Sequence, residues 1–432
     1  MNTYLLIISL ASIIILSFFF NIIAKRTNIP SVLMLIGLGM ILKAILDSYD
    51  MSKDLELDSI LEVLGNIGLV MIVLEAALDL KLEKQKTGLI LKSLLVAFLG
   101  IGLTMFALAG FFLYIFPSTS LYTAVVYAIP LSIMSSAIII PSVGRLTGTK
   151  REFMIYESTF SDILGIMVFY FMIGAEGGAG GGDIVWEILI NIGSTILISV
   201  IVAYGLVYIF QHLQMQVKLF LVIGVLLLLF AVGKYYHLSS LLIILAFGVV
   251  LNNTDVFFRG RLSKIFDKEK VKPILHDFHN LTLESAFLIR TFFFVVFGLS
   301  ITLSSLANWQ VAINSLVIVA ILYAVRYAAL RIFARKFLFP ELFIAPRGLI
   351  TVLLFFVLAK NEAINIPDFD PGLLLYPILI SSLIMMIALI SYKGEKVKDV
   401  LFLKVPLLKT KNAEEIDKRM KENTERHDFD GF

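Results

Sequence analysis

The sequence predicts an all-α protein that crosses a membrane many times. Of its 432 residues, 59% are hydrophobic, and the mean hydropathy is +0.93. Apolar runs of about 17 to 28 residues recur along the chain, and about 20 such residues in a helix cross a bilayer. The runs lack the roughly 10-residue alternation of apolar and polar residues that is typical of membrane β-barrels. Helices are therefore expected to span the membrane.

About thirteen spans follow one another along the chain, each defined by its apolar length and by polar residues at its ends. They cover residues 4–24, 30–47, 58–81, 87–115, 120–146, 151–174, 184–211, 218–233, 238–253, 280–302, 309–337, 344–361 and 371–391. The first run has no basic n-region and no small-residue cleavage site, so it is expected to be a retained helix rather than a signal peptide.

Basic residues are concentrated in alternate loops. They occur near residues 25–26, 81–86, 145–151, 218, 259–272 and 335–336, whereas the other loops contain only Lys53, Lys234 and Lys360. The positive-inside rule places the basic loops in the cytoplasm, with the N-terminus outside and the C-terminus inside. This topology accounts for the net charge of +3, which therefore does not indicate nucleic-acid binding.

Two polar segments set the domain boundaries. The glycine-rich stretch 174–182 predicts a flexible outer linker between two halves of similar design. The tail 393–432 mixes charges of both signs with few apolar residues after Leu408, and it predicts a short solvated segment. Residues 1–392 are therefore assigned to a transmembrane domain and 393–432 to a cytoplasmic tail. The absence of cysteine excludes disulfides and thiol chemistry.

Two spans are interrupted by helix-breaking residues. The fifth contains Pro130 and Pro141, and the twelfth contains Pro346 and Gly348 around a charged Arg347. Such prolines can simply kink a membrane helix. Interrupted spans in corresponding places of two halves, however, are typical of inverted-repeat transporters with a binding site at the bilayer midplane, and we favour this interpretation.

Asp162 lies close to the bilayer centre, since it is about eleven residues into the sixth span and each helical residue rises ~1.5 Å. A carboxylate at that depth is costly and usually functional. Glu157, five residues earlier, points about 140° away around the helix and is expected to have a different task. Ser158 shares the face of Asp162, and Ser161 adjoins it.

Arg326 occupies the middle of the eleventh span and needs a buried acid as its partner. Glu157 is the most economical choice. We interpret this ion pair as a structural brace between the sixth and eleventh spans. Arg347 either satisfies unwound backbone near the fifth span or shapes the cytoplasmic entrance.

These residues resemble the monovalent cation/proton antiporters over essentially the whole membrane region. The run from Glu157 to Asp162 is similar to the Glu-Ser-x-x-Asn-Asp element of NhaP-type exchangers. Arg326 matches the arginine that pairs with this glutamate, and Arg347 with Gly348 resembles the Arg-Gly of the second crossing helix. The chain departs from that pattern at Ser161, which replaces Asn, and at Ile133–Ala137, which is more like the first crossover of the Kef-type branch. The ion, Na⁺ or K⁺, therefore stays open.

The resemblance implies a thirteen-helix inverted-repeat fold with two crossing discontinuous helices. It implies core helices within 87–174 and 309–391, scaffold helices within 4–81 and 218–302, and a linker helix at 184–211. It also implies a homodimer in a lipid bilayer, the inner membrane of a bacterium, and a role in pH homeostasis. No cofactor is implied.

The expected mechanism is competition between a proton and a cation for Asp162. Burial favours the protonated acid, and a bound cation favours the carboxylate. Ser158, Ser161, Ser135 and Ser136 could supply further oxygen ligands. The favoured cation is Na⁺, with K⁺ and Li⁺ as alternatives. Because Arg326 holds the other acid, one titrating group remains, which predicts electroneutral exchange.

Two other classes of membrane protein are alternatives. A membrane-embedded enzyme is disfavoured, because all five histidines lie near span ends or in loops and no nucleophile and base occur together inside the spans. A cation- or proton-coupled solute symporter or a channel could also use a buried Asp. The small serine-lined site argues against an organic solute.

In the predicted scaffold, Arg290 is deep enough to need a partner, and Glu75 or Glu284 could supply it. His276 and His279 are expected to lie in the long basic inner loop. Their spacing could bind a metal or sense pH, although solvated loop histidines are the commoner case.

Overall fold

The computed structural model describes residues 3–27, 31–48, 57–174, 183–212, 218–235, 240–258, 268–300, 308–359, 361, 364–367 and 369–392. All regular structure within these ranges is helical. The helices are α1 (Thr3–Thr27), α2 (Ser31–Ser48), α3 (Leu57–Asp79), α4 (Thr87–Ile115), α5 (Leu121–Ser132), α6 (Ser136–Ser142), α7 (Gly148–Gly174), α8 (Asp183–His212), α9 (Lys218–Tyr235), α10 (Ser240–Asn252), α11 (Thr254–Phe257), α12 (Lys268–Ser300), α13 (Trp309–Phe333), α14 (Leu349–Ala359) and α15 (Gly372–Ser391).

Six described segments are long and apolar enough to cross a membrane, and shorter apolar helices lie among them. The prediction of an all-α, polytopic membrane protein is confirmed. The predicted linker after Gly174 and the tail 393–432 lie outside the described residues.

The helices pack in two sets. In the first, α12 lies against α2 and α3, α10 lies against α3, and α9 lies against α10. In the second, α4 packs against α5, α7 and α13, and α13 packs against α15. The first set falls within the ranges predicted for the scaffold and the second within those predicted for the core. The sets meet where α3 contacts α7 and α14.

Helices α2 and α12 approach each other through glycines. A Cβ atom on Gly39 would lie 2.8 Å from Gly298 Cα, and one on Gly298 would lie 2.9 Å from Gly39 Cα. Small residues allow membrane helices to pack backbone against backbone, where lipid offers no hydrophobic driving force. A larger residue at either position would separate the two helices.

Helix α12 begins at Lys268, well before the apolar span predicted from residue 280. The interpretation of His276 and His279 as loop residues is therefore wrong, since both are helical. The stretch 268–279 is polar and contains three lysines, which are good helix formers, but hydropathy detects only the apolar part of a helix.

The two interrupted spans are discontinuous, as predicted. The fifth span divides into α5 and α6, and Ile133 and Ser135 between them have extended backbone. Pro130 lies inside α5. In the twelfth span, residues 344–348 are non-helical and α14 begins at Leu349. Pro346 lies within this non-helical segment.

Candidate functional site

The two interrupted spans meet at their breaks. Ser135 N donates a hydrogen bond to Pro346 O over 2.9 Å. Arg347 Nε donates to Leu131 O over 2.5 Å, and its Nη1 donates to Ala345 O over 2.9 Å. Backbone groups within a bilayer need partners inside the protein, and here each break supplies partners to the other. These contacts correspond to the first of the two roles considered for Arg347.

Gly348 is required by the closeness of this crossing. A Cβ atom at this position would lie 2.5 Å from Ser135 Oγ and 2.8 Å from Ile138 Cδ1. No side chain fits there unless the two segments move apart.

Asp162 lies on α7 beside the break between α5 and α6. Its side chain is buried, and Oδ2 accepts a hydrogen bond from Ser136 N over 3.2 Å. Oδ1 is also buried and has no hydrogen-bond partner among the described residues. Within that part of the chain, Asp162 is the buried acid that forms no ion pair.

The serines predicted near Asp162 have different surroundings. Ser161 Oγ accepts a hydrogen bond from Met134 N over 3.0 Å, so it supports the break. Ser158 Oγ donates to Ile155 O of its own helix over 3.2 Å. Ser135 Oγ is buried without a hydrogen-bond partner in the described ranges. The hydroxyls of Ser161 and Ser158 therefore already form hydrogen bonds, whereas that of Ser135 has no partner among the described residues.

Glu157 and Arg326 form a bidentate ion pair in the protein interior. Arg326 Nη1 lies 2.6 Å from Glu157 Oε1, and Nη2 lies 3.1 Å from Oε2. Glu157 is 1% exposed and Arg326 is 7% exposed. The pair links α7 to α13, which is the arrangement expected of a brace.

Arg326 also donates to main-chain carbonyls before α14. Its Nη2 lies 2.8 Å from Glu341 O, and its Nε lies 3.1 Å from Leu342 O. Nη1 further contacts Met134 Sδ at 2.8 Å. One guanidinium thus joins α7, α13, the break after α5 and the segment that leads to α14.

A cavity of about 20 Å³ lies beside this network. Its lining residues include Ser132, Met134, Glu157, Ser161, Arg326 and Arg347. This volume is close to that of one water molecule. Asp162 is not among the lining residues, so the cavity belongs to the ion pair and the breaks rather than to the unpaired carboxylate oxygen.

Outside the spans, Glu341 is a buried acid between α13 and α14. It is 0% exposed, and neither carboxylate oxygen has a hydrogen-bond partner among the described residues. Lys150 Nζ lies 3.6 Å from its Oε1. Burial raises the pKa of Glu341, and the nearby Lys150 and Arg326 offset part of that rise.

Two side-chain pairs join α3 to α12. Arg290 Nη1 lies 3.2 Å from Glu75 Oε2, so Glu75 is the partner of Arg290, whereas Glu284 is exposed. One turn nearer the end of α3, His279 Nε2 lies 2.9 Å from Asp79 Oδ1. These pairs hold the first set of helices together.

Sequence reasoning missed three residues of this region. Thr159 has a buried hydroxyl with no hydrogen-bond partner in the described part of the chain. It lies three residues before Asp162, and this helical spacing could have indicated that the two share a face. Ser381 on α15 accepts a hydrogen bond from Arg347 N over 3.0 Å. Glu341 lies outside every predicted span, and no sequence pattern indicates that it is buried.

Comparisons with known proteins place the chain in a family. Residues 11–390 match the family described as "Sodium/hydrogen exchanger, transmembrane". No curated protein matches. The structure is similar to that of the sodium proton antiporter MjNhaP1 from Methanocaldococcus jannaschii at pH 8, with a TM-score of 0.66 and 21% identity over 90% of this chain and 96% of that chain. An electron-microscopy structure of the same antiporter gives a TM-score of 0.66 and 20% identity over 90% and 95% of the two chains. The fold is that of these antiporters, and the chain belongs to the sodium/hydrogen exchanger family as an integral membrane cation/proton antiporter.

Proposed function

We propose that this antiporter exchanges a monovalent cation, Na⁺ in preference to K⁺, for a proton, and that Asp162 binds the two in turn. The observation that carries the proposal is the state of the Asp162 carboxylate. It is buried at the crossing of two broken helices, forms no ion pair within the described ranges, and has one oxygen without a hydrogen-bond partner. A buried carboxylate needs either a proton or a cation to neutralise it.

Neighbouring oxygens support a cation as the alternative to the proton. Among the described residues, the hydroxyl of Ser135 at the crossing has no hydrogen-bond partner, and neither has that of Thr159 on α7. Hard monovalent cations favour such oxygen ligands. Ser161, Ser158 and Ser136 are weaker candidates, because Ser161 and Ser158 already form hydrogen bonds and Ser136 offers Asp162 its main-chain N–H.

Electroneutral exchange follows from the pairing of the other deep acids. Arg326 neutralises Glu157, and Arg290 neutralises Glu75. One titrating carboxylate remains at the crossing, so each crossing of the membrane carries one proton or one cation. Support for Na⁺ comes from the family description.

The test is cation-dependent proton movement in proteoliposomes with a preset pH gradient. Na⁺, K⁺ and Li⁺ are added in turn to native protein, Asp162→Asn, and Asp277→Asn, an exposed control on α12 with the same chemical change. We expect dissipation with Na⁺ in the native and Asp277→Asn proteins and none in Asp162→Asn. Absence of a response to every cation, or an undiminished response in Asp162→Asn, would contradict the proposal and return a symporter or channel to consideration.

A further inference from the structure

Lys150, at the start of α7, connects three parts of the second helix set. Besides its contact with the Glu341 carboxylate, its Nζ donates to Phe339 O over 2.6 Å and lies 5.4 Å from the centre of the Tyr392 ring at the end of α15. The position of residues 339–341 is therefore tied to α7 through one ammonium group.

The same segment holds Arg326 from its other side. Glu341 O and Leu342 O accept hydrogen bonds from the guanidinium, whose remaining donors bind Glu157. A shift of residues 339–342 would move two acceptors of Arg326. It would thereby disturb the ion pair that orients α7, the helix that carries Asp162.

We propose that Glu341 is a positioning residue for transport. Its ionised carboxylate, held by Lys150, keeps residues 339–342 in place, and these residues fix Arg326 and the Glu157 pair. Protonation of Glu341 removes the attraction to Lys150 and releases the segment, so that the maximal rate of exchange falls. The inference rests on the proposed function, in which Asp162 of α7 binds the transported ions.

The charged groups near Glu341 come from two elements. Lys150 approaches from α7 and Arg326 from α13, whereas the titratable Tyr392, just after α15, contacts the ammonium of Lys150. Both cations favour the ionised carboxylate, whereas complete burial favours the neutral acid. The balance raises the pKa of Glu341, so its protonation occurs at a pH above that of an ordinary glutamate.

Two effects of acid on transport can be separated by kinetics. Protons that compete at Asp162 lower the apparent affinity for the cation, and saturating cation overcomes them. Protonation of Glu341 acts away from the cation site and lowers the maximal rate, which excess cation does not restore. The pH dependence of the maximal rate therefore reports the protonation of Glu341.

The experiment measures maximal rate and apparent Na⁺ affinity against pH in proteoliposomes. We compare native protein, Glu341→Gln, Lys150→Gln, and Lys336→Gln, which neutralises an exposed lysine of the same loop. For Glu341→Gln we expect a maximal rate that is several-fold lower and flat across the range in which the native rate falls. For Lys150→Gln we expect the same lower and flat maximal rate, because the attraction that holds residues 339–342 is then absent at every pH. Lys336→Gln is expected to match the native protein.

A native-like acid fall in the maximal rate of either Glu341→Gln or Lys150→Gln would overturn the inference. The apparent Na⁺ affinity is expected to keep its native pH dependence in both variants, since Asp162 is intact. Failure of the proposed function itself would look different, as the native protein would then show no Na⁺-dependent exchange. Lys150 is partly exposed, so its substitution is readily accommodated and the test does not depend on folding of the Glu341 variant.

Discussion

Ser135 N and Pro346 O are joined by a hydrogen bond of 2.9 Å, which links the breaks of two separate spans. In the opposite direction, Arg347 Nε donates a hydrogen bond from the second break to Leu131 O, near the end of α5. The next residue after Ser135 supplies the N–H that Asp162 accepts. A displacement of either break would therefore change the surroundings of the proposed ion site.

Gly348→Ala tests the closeness of the crossing. The added methyl group would lie 2.5 Å from Ser135 Oγ, so the segments must separate. Overpacking of this kind costs about 1–3 kcal/mol, and we expect a lower unfolding midpoint in detergent and loss of exchange. Gly102→Ala on α4, where a Cβ meets nothing within 4 Å, is the matched control. Equal midpoints and rates for both variants would show that the crossing is looser than described.

Removal of one partner of the Glu157 and Arg326 pair tests the brace. Glu157→Gln leaves a buried guanidinium without its counter-charge, and we expect a loss of about 3–5 kcal/mol in the free energy of unfolding. The double variant Glu157→Gln with Arg326→Gln should recover only part of this loss, because Glu341 O and Leu342 O also lose their donor. Arg335→Gln, which replaces an exposed arginine just after α13, serves as the control. Native-like stability of Glu157→Gln would refute the brace.

Much of the fold could be predicted from the sequence because membrane spans have strong local signals. Length and hydropathy placed α4 and α7 within a few residues of their observed bounds. The start of α12 could not be found this way, because its first turns are polar and hydropathy does not detect a polar helix. The choice between Glu75 and Glu284 was undecided, although Glu284 and Arg290 lie about 120° apart on one helix and so cannot readily face each other.

The site was predictable only where a buried charge needs a partner. Arg326 and Glu157 were paired on that ground, and the structure places them in contact. Serine surroundings could not be predicted, because Ser158 shares a face with Asp162 yet bonds its own helix. Glu341 was missed because its burial arises from the packing of α13 and α15, with Lys150 of α7, around a short turn that lies between two predicted spans.

Ser135→Ala tests whether the unpaired hydroxyl binds the cation. This hydroxyl has no hydrogen bond to lose within the described residues, so stability should be unchanged. Loss of one ligand worth about 1 kcal/mol would weaken apparent Na⁺ affinity roughly fivefold. Ser142→Ala, which removes only a bond to Ile138 O of its own helix, is the control. Unaltered Na⁺ affinity in Ser135→Ala would remove this residue from the proposed ligands.

The charge balance predicts an exchange rate that does not depend on membrane potential. One proton replaces one monovalent cation at Asp162, since Glu157 and Glu75 stay paired with arginines. The measurement is the initial rate in proteoliposomes whose potential is set by a K⁺ gradient and valinomycin. We expect equal rates at 0 mV and at about 100 mV, where each uncompensated charge would contribute ~2.3 kcal/mol. A rate that changes with potential would show that each exchange cycle moves net charge, which would contradict one-for-one exchange.

Proton release on cation binding is the measurement that tests the central claim most directly. Na⁺ is added to detergent-solubilised protein in weakly buffered solution, and the released protons are counted against bound cation. We predict about one proton per bound Na⁺ in the native protein and in Asp277→Asn, and neither binding nor release in Asp162→Asn, because the two ions share one carboxylate. Binding without proton release, or release that persists in Asp162→Asn, would contradict the account.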